Sequence, residues 1–221
     1  YLAALGRVRP SKQGGRDLGR LPLFWNGALC LFSLYGACVC LPAVWEALAS
    51  GGPTWLICGP LGADGEVGRC LLLFLLSKVV EMGDTALLVA RGKKVSVLHS
   101  FHHSSVLVLT WKLYGHQSST GLWFAAMNLV AHVFTYGYFA ATEIPALKAR
   151  ALRAGFLVTA VQCTQFFLGA AANLRVLVEH RAGRLCDARA SDAGIALGFY
   201  LVYLVMFTEY AISRKRRLKK G

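Results

Sequence analysis

Charge is scarce in this chain of 221 residues. Asp, Glu, Lys and Arg make up 16%, where a soluble domain of this size carries about a quarter. That shortfall excludes an ordinary soluble enzyme. A disordered chain is excluded too, because core-forming residues are not the ones lacking: hydrophobic residues reach 56%. Cysteine is too sparse for a disulfide framework, with seven residues in all, and the 23 glycines follow no triplet period, so the chain is not collagen-like. Internal repeats and low-complexity stretches are also missing. Acidic groups are the scarcest charges, 11 against 24 Lys and Arg, for a net charge of +13.

What is present is apolar, with a mean hydropathy of +0.49. The composition predicts a polytopic membrane protein, an all-α helix bundle. A spanning helix needs roughly 20 apolar residues, which leaves room for about six or seven spans and none for a second soluble domain. The whole of 1–221 is therefore expected to form one integral membrane domain. Six apolar segments can be marked, at 23–48, 70–90, 95–113, 121–141, 155–174 and 195–212. Gly51, Gly52 and Pro53, then Gly59 and Pro60, break the chain after the first of them. No initiator Met begins the sequence, and residues 1–6 read as the end of an earlier span. The chain is expected to be a fragment whose first span is truncated.

In a soluble protein the basic surplus would suggest nucleic acid. Here it lies between the apolar segments and at the C-terminus, where it meets lipid headgroups and sets orientation, so no nucleic-acid partner is expected. Lys and Arg number five in 7–20, one in 51–69, three in 91–94, one in 112–120, three in 142–154, four in 175–194 and six in 213–221. The positive-inside rule places 7–20, 91–94, 142–154 and the basic tail 213–221 in the cytosol. The four Arg of 175–194 break the alternation, but that loop must be lumenal if the tail is cytosolic.

Ionisable groups inside spans cost about 2.5–3.5 kcal/mol each at the helix centre and need a reason. Lys78, Glu81, Asp84 and Thr85 interrupt the second segment as K-x-x-E-x-x-D-T. Lys78 and Glu81 can neutralise each other, while Asp84 must find a partner on another helix. The next segment carries His99, His102 and His103, which fall within about 100° of a helix wheel and face one cavity. Two chemistries need such a cluster, metal ligation by imidazole and acyl transfer with imidazole as nucleophile or base. Asn128, His132 and Tyr136 share a face of the following segment, and Thr159, Gln162 and Gln165 form T-x-x-Q-x-x-Q on the one after. Tyr200, Tyr203, Glu209 and Tyr210 add polar atoms near the end, as readily packing or interface belt as site.

Taken in order, Lys78-x-x-Glu81-x-x-Asp84-Thr85, His99-x-x-His102-His103, Asn128-x-x-x-His132-x-x-x-Tyr136 and Thr159-x-x-Gln162-x-x-Gln165 resemble the very-long-chain fatty acid elongases, the ELO family. The histidine box alone is shared with membrane desaturases; the ordered set is not. The resemblance implies seven spans, an endoplasmic reticulum membrane location with a cytosolic C-terminus, and the condensation step of elongation. In that step acyl-CoA and malonyl-CoA give 3-ketoacyl-CoA, CoA and CO2 with no cofactor and no metal. It further implies association with other enzymes of the elongation cycle and with homo- or hetero-oligomeric partners. Thr135 stands where a Met commonly precedes the tyrosine of the third motif, and Tyr138-Phe139 replaces a frequent Tyr-Tyr pair. Both change the pocket wall and hence substrate preference.

The resemblance also suggests a lumenal bridge between Cys58 and Cys186, in loops assigned to an oxidising compartment. Two free thiols remain the alternative, since spacing alone does not determine pairing. Cys30, Cys38, Cys40 and Cys163 lie in spans and are expected to be free, and Cys70 sits at a span edge. The tail has Lys219 third from its end but Leu218 fourth, an imperfect di-lysine retrieval signal.

For mechanism, no buried Cys has a neighbouring base in sequence. An imidazole can attack a thioester when neutral and desolvated, as an apolar bundle favours. His102 is the expected nucleophile, forming an acyl-imidazole. His132 and Asn128 would stabilise the enolate or oxyanion. Asp84 would orient His99 or His103, and Gln162 and Gln165 would position the thioester carbonyl. Lys78, Glu81, Thr85, Tyr136 and Thr159 complete the substrate-binding set. The cavity is expected to open to the cytosol, where Lys93, Lys94, Lys148, Arg150 and Arg153 attract the phosphates of CoA. Two alternatives stay open. A di-iron desaturase or hydroxylase needs about eight imidazoles, whereas this chain has six His in total. A small transporter explains Lys78, Glu81 and Asp84 but leaves the three clustered His without a purpose.

Overall fold

A computed structural model describes residues 15–62 and 64–218. The described residues form helices α1 (Leu21–Cys58), α2 (Gly65–Val80), α3 (Gly83–Ala90), α4 (Val97–Gly115), α5 (Gly121–Glu143), α6 (Pro145–Arg181) and α7 (Ala190–Leu218), with no strand among them. The chain is an all-helical, multi-pass membrane bundle. Three of these helices, α1, α6 and α7, are each long and apolar enough to cross a membrane. The other apolar segments carry the polar motifs, which shorten or dilute them. The 70–90 segment is split between α2 and α3, α4 holds the three clustered His, and α5 holds Asn128 and His132.

Several boundaries differ from expectation. The basic stretch 142–154 is not a loop: Pro145 starts α6, which runs without a break to Arg181. Proline suits a first turn, where its missing N–H has no partner to lose, and the Ala, Leu, Lys and Arg that follow are strong helix formers. His180 accordingly belongs to α6 and not to a loop. The tail stays helical to Leu218. Gly51 and Gly52 bend the first helix without ending it. Gly52 takes φ 72° and ψ −169°, and α1 continues to Cys58. Residues 1–6, most of the 7–20 basic stretch, Lys219 and Lys220 lie outside the described residues.

Neighbouring helices close a ring. α1 packs on α5, α5 on α6, α6 on α7, α7 on α4, α4 on α2, and α2 on α1. Helix axes in contact lie about 8–10 Å apart, so a ring of this many members leaves an interior. Outward faces carry exposed Leu31, Trp45, Val108, Phe156 and Phe167. In water such a surface would be a liability; in lipid it costs nothing, because hydrocarbon is as apolar as the side chains.

One end of the ring is strapped. A disulfide joins Cys58, the last residue of α1, to Cys186 in the α6–α7 connection, and Asp187 N–H donates to the Cys58 carbonyl at 3.0 Å. Arg175 and Arg184 both pair with the buried Glu179. Lys112 and His116, at the end of α4, meet Asp192 of α7 at 3.1 and 2.5 Å. Cys30, Cys38, Cys40, Cys70 and Cys163 are free thiols, with Cys70 buried inside α2.

The α6–α7 contact depends on one small residue. A Cβ at Gly169 would lie 2.1 Å from a ring carbon of Tyr200. Gly169→Val is expected to destabilise the bundle by about 1–3 kcal/mol, the usual cost of overpacking. Gly27→Ala, at a site where a Cβ meets nothing within 4 Å, should leave stability unchanged or slightly raised. Thermal unfolding of both variants in detergent checks the contrast.

Candidate active site

The polar motifs converge inside the ring. α2 tightens into a turn at Glu81 and Met82, where Glu81 N–H donates to the Ser77 carbonyl at 2.8 Å and Met82 N–H to the Val79 carbonyl at 3.2 Å, and α3 restarts at Gly83. Lys78 and Glu81, three residues apart, share one helix face. Lys78 Nζ donates to Glu81 Oε1 at 2.7 Å and to Asn128 Oδ1 of α5 at 2.7 Å. Ser77 Oγ donates to the same carboxylate at 3.1 Å, and His132 Nδ1 lies 3.4 Å from it. Lys78 and Glu81 are 2% and 4% exposed. An unpaired charge at that depth would be untenable, and here the ammonium and the carboxylate pair with each other and gain further polar partners from Asn128, Ser77 and His132.

Asp84 begins the next turn and is held differently from the sequence expectation. Its Oδ1 accepts from Trp25 Nε1 of α1 at 2.6 Å, and its Oδ2 accepts from the Tyr136 hydroxyl of α5 at 2.8 Å. Neither oxygen orients His99 or His103. That contact belongs to Thr85, whose Oγ1 lies 3.0 Å from His99 Nε2. Trp25 can reach Asp84 because Gly83 has no side chain: a Cβ there would lie 2.6 Å from the indole ring.

The three clustered His share one side of α4, as their spacing predicts. The His99 and His103 rings are 4.3 Å apart between centroids, and those of His102 and His103 are 5.5 Å apart. Ser96 starts this helix, its side chain accepting from His99 N–H at 3.1 Å. His102 is walled by the rings of Tyr203 at 4.9 Å, Phe166 at 5.7 Å and Phe207 at 5.7 Å. Tyr203 is fixed by a 2.8 Å hydrogen bond to Ser105. His102 Nε2 is buried and has no hydrogen-bond partner among the described residues.

Two cavities meet at His102. The larger, about 590 Å³, is lined by His99, His102, His103, His132, Asp84, Tyr136, Thr159 and Gln162, with Arg91, Lys93, Lys94, Glu143 and Lys148 at its mouth. The smaller, about 60 Å³, runs from His102 past Phe74, Leu109, Phe124 and Tyr200 to Leu61, Ser118 and Gly121 near the strapped end. Asn128 and Gln165 line this smaller space. Lys78, Glu81 and Thr85 line neither, so the structure corrects their assignment as substrate contacts: they hold the residues that do line the cavities. Gln162 and Gln165 also part company. Gln162 faces the larger cavity and donates to Thr135 Oγ1 at 3.3 Å, and Gln165 faces the smaller one. Arg150 and Arg153 do not line the mouth.

Trp25, Phe166, Tyr203 and Phe207 surround the site but carry no motif. Only their aromatic character was visible in the sequence; their approach is long-range packing. Among the described residues, no group of three or more His, Cys, Asp and Glu is arranged to hold a metal ion.

A family model described as ELO, the GNS1/SUR4 family, matches residues 3–220. The chain belongs to this family. It is 32% identical over 215 residues to "Fatty acid elongase 3" of Trypanosoma cruzi, covering 86% of this chain and 71% of that protein. Against "Fatty acid elongase 2" of Trypanosoma brucei brucei it is 32% identical over 211 residues, covering 90% and 78%. Against "Very long chain fatty acid elongase 3" of Homo sapiens it is 28% identical over 210 residues, covering 95% and 77%. The family match at residues 3–220 spans all four motif helices.

The Lys78–Glu81 pair should behave as a unit. Lys78→Met leaves a buried carboxylate uncompensated and is expected to cost about 3–5 kcal/mol. Adding Glu81→Gln should recover a large part of that loss. Thermal midpoints of the two single variants and the double variant, read as a cycle, test the coupling.

Proposed function

We propose that the chain is the condensing enzyme of fatty acid elongation, joining a long-chain acyl-CoA with malonyl-CoA to give 3-ketoacyl-CoA, CoA and CO2 through an acyl-imidazole on His102. Membership of the ELO family supports the role in elongation. The carrying observation is His102 Nε2, a buried nitrogen without a partner at the junction of a wide cavity and a narrow apolar one. A buried polar atom left unmatched costs free energy and calls for a functional reason. Here the reason is a lone pair aimed where a thioester carbon arrives.

The acyl tail takes the direction of the narrow chamber, whose walls are mostly Leu, Val and aromatic residues and which widens from about 60 Å³ to receive it. The thioester then sits at His102 and the CoA portion fills the wide cavity. Nε2 attacks the carbonyl carbon: a C–N bond forms, the C–S bond breaks, and the departing thiolate takes up the proton lost by the imidazole. CoA leaves through the mouth and malonyl-CoA replaces it. Loss of CO2 leaves an enolate, which attacks the acyl carbon. The new C–C bond forms as the C–N bond breaks, and the departing imidazolate takes one proton from water, the proton the overall decarboxylative condensation consumes, to restore neutral imidazole. His132 lines the wide cavity and is tied to Glu81, a placement suited to the developing negative charge. Asn128 spends its Oδ1 on Lys78 and turns toward the narrow chamber. Tyr136, Thr159 and Gln162 shape the wide cavity around the second substrate. The reading places the protein in the endoplasmic reticulum membrane, with the mouth and C-terminus cytosolic, where CoA esters are found, and with other enzymes of the elongation cycle and further elongase chains as partners. No cofactor is required by this scheme.

Incubation with acyl-CoA alone tests it. The protein should release about one CoA per site and gain one acyl group on the peptide containing His102. His102→Ala, folded to the parent thermal midpoint, should release none. Release at the parent rate from that variant, with the adduct on another His, would overturn the assignment.

A further inference from the structure

The mouth of the wide cavity carries a charge arrangement that the chemistry at His102 does not use. Arg91 caps the end of α3 and Glu143 ends α5. Arg91 Nη1 donates to Glu143 Oε1 at 2.6 Å and Nη2 donates to Oε2 at 3.2 Å, a two-pronged pair across the opening. The two side chains are 29% and 23% exposed, so the pair lies half in water at the rim. Lys93, Lys94 and Lys148 line the same rim and, among the described residues, form no ion pair. Glu143 is the only acidic residue among the mouth residues; the next carboxylate inward is Asp84, occupied by Trp25 and Tyr136. A rim with four cations and one anion attracts anions. Its guanidinium, the group best shaped for two-pronged phosphate binding, is the cation already masked.

We propose that Arg91 is a phosphate-binding residue of this mouth and that Glu143 holds it in reserve, yielding it to an incoming phosphate of the CoA nucleotide. The inference rests on the acyl-CoA reading above and adds a subsite and a latch to it. The exchange suits the geometry. Guanidinium–carboxylate and guanidinium–phosphate pairs use the same two parallel N–H donors, so Arg91 loses no hydrogen bond when it changes partner. The released carboxylate, at the rim, is rehydrated without being buried. The lysines keep the displaced charge balanced while the phosphate is seated. In the empty state the pair keeps the guanidinium extended across the opening and lowers its attraction for stray anions, which favours ligands with enough further phosphate and pantetheine contacts to displace Glu143.

The same phosphate chemistry could come from a lipid headgroup, so the test separates the two. Full-length protein in phosphatidylcholine nanodiscs is titrated with 3′,5′-ADP, which carries the nucleotide phosphates and no acyl chain. Glu143→Gln, which removes the competing charge, should tighten binding about fivefold, the scale of a half-exposed ion pair. Arg91→Gln should weaken it about tenfold, the scale of a charge-assisted hydrogen bond. The double variant should match Arg91→Gln, because Glu143 acts only through Arg91. Equal weakening by both single variants would make the pair a structural clasp and overturn the proposal. So would tightening by Glu143→Gln that persists without Arg91, which would be a general field effect. Where Arg91→Gln loses its thermal transition, Arg91→Lys carries the test: it keeps the charge, loses the fork, and should bind 3′,5′-ADP more weakly than the parent. Nanodiscs containing phosphatidic acid form the second arm. Arg91-dependent binding of that lipid, with 3′,5′-ADP indifferent to Arg91, would assign the residue to headgroups instead. None of these measurements requires turnover. Absence of acylation at His102 with the expected nucleotide pattern would sink the covalent scheme alone; acylation with an inverted pattern would sink the latch alone.

Discussion

A lysine and a glutamate buried within an apolar bundle constrain everything around them. Lys78 and Glu81 are too deep for water to solvate, so the protein must supply every partner. It draws them from two helices: Ser77 of α2, and Asn128 and His132 of α5. Spacings of three and four residues place Ser77, Lys78 and Glu81 on one helix face, so the set closes within helical geometry. Past the turn at Glu81 and Met82, Asp84 turns toward Trp25 and Tyr136. Thr85 turns toward His99. The polar stretch 77–85 thus ties α1, α2, α3, α4 and α5 together through one ion pair and the hydrogen bonds around it.

The two ends of the ring are built on opposite principles. At one end the Cys58–Cys186 bond, the Glu179 pairs and the Asp192 pairs join α1, α4, α6 and α7. Stapling the connections there limits how far the helices can splay. At the other end, among the described residues, one ion pair spans α3 and α5 beside three lysines that form none. The proposed acyl-CoA substrate, a long apolar tail with a large anionic head, suits that asymmetry. On that reading the closed end retains the apolar chamber, and the end that admits the anion is held by charge, which an anion can displace.

Much of the site was legible because helical spacing is a strict rule. The common face of His99, His102 and His103 follows from their spacing, as does the Lys78–Glu81 pairing. Helix ends were less legible, because hydropathy marks where a chain is apolar, not where it is helical. Residues 145–154 are basic yet consist of good helix formers, so α6 begins ten residues before its apolar stretch. The split at Glu81 and Met82 could not be seen either, since K-x-x-E-x-x-D-T keeps helical spacing across it. Asp84 was assigned to the histidines because they were the polar groups nearest in sequence. Its partners came instead from 59 residues upstream and 52 downstream. Trp25 shows why such contacts escape pattern reading: its approach depends on an absent side chain at Gly83, and one glycine among 23 announces nothing.

The junction of the cavities at one nitrogen bears on the order of events in the proposed scheme. The narrow chamber, about 60 Å³, is too small for a nucleotide and must widen to take a long apolar tail, so the scheme has acyl-CoA enter tail first, parting the chamber walls until its thioester reaches His102. While its CoA remains, the wide cavity is filled and a second CoA ester has no place beside it. Transfer to the imidazole resolves the conflict, because it keeps the acyl carbon activated at the junction while the head leaves. The bulky carriers then use the same space one after the other. A general-base role for His102 would need both esters present together, and would leave the lone pair pointing at a proton donor rather than at carbon. In the proposed scheme the covalent relay lets the two carriers use the wide cavity in turn, as the chemistry of imidazole allows.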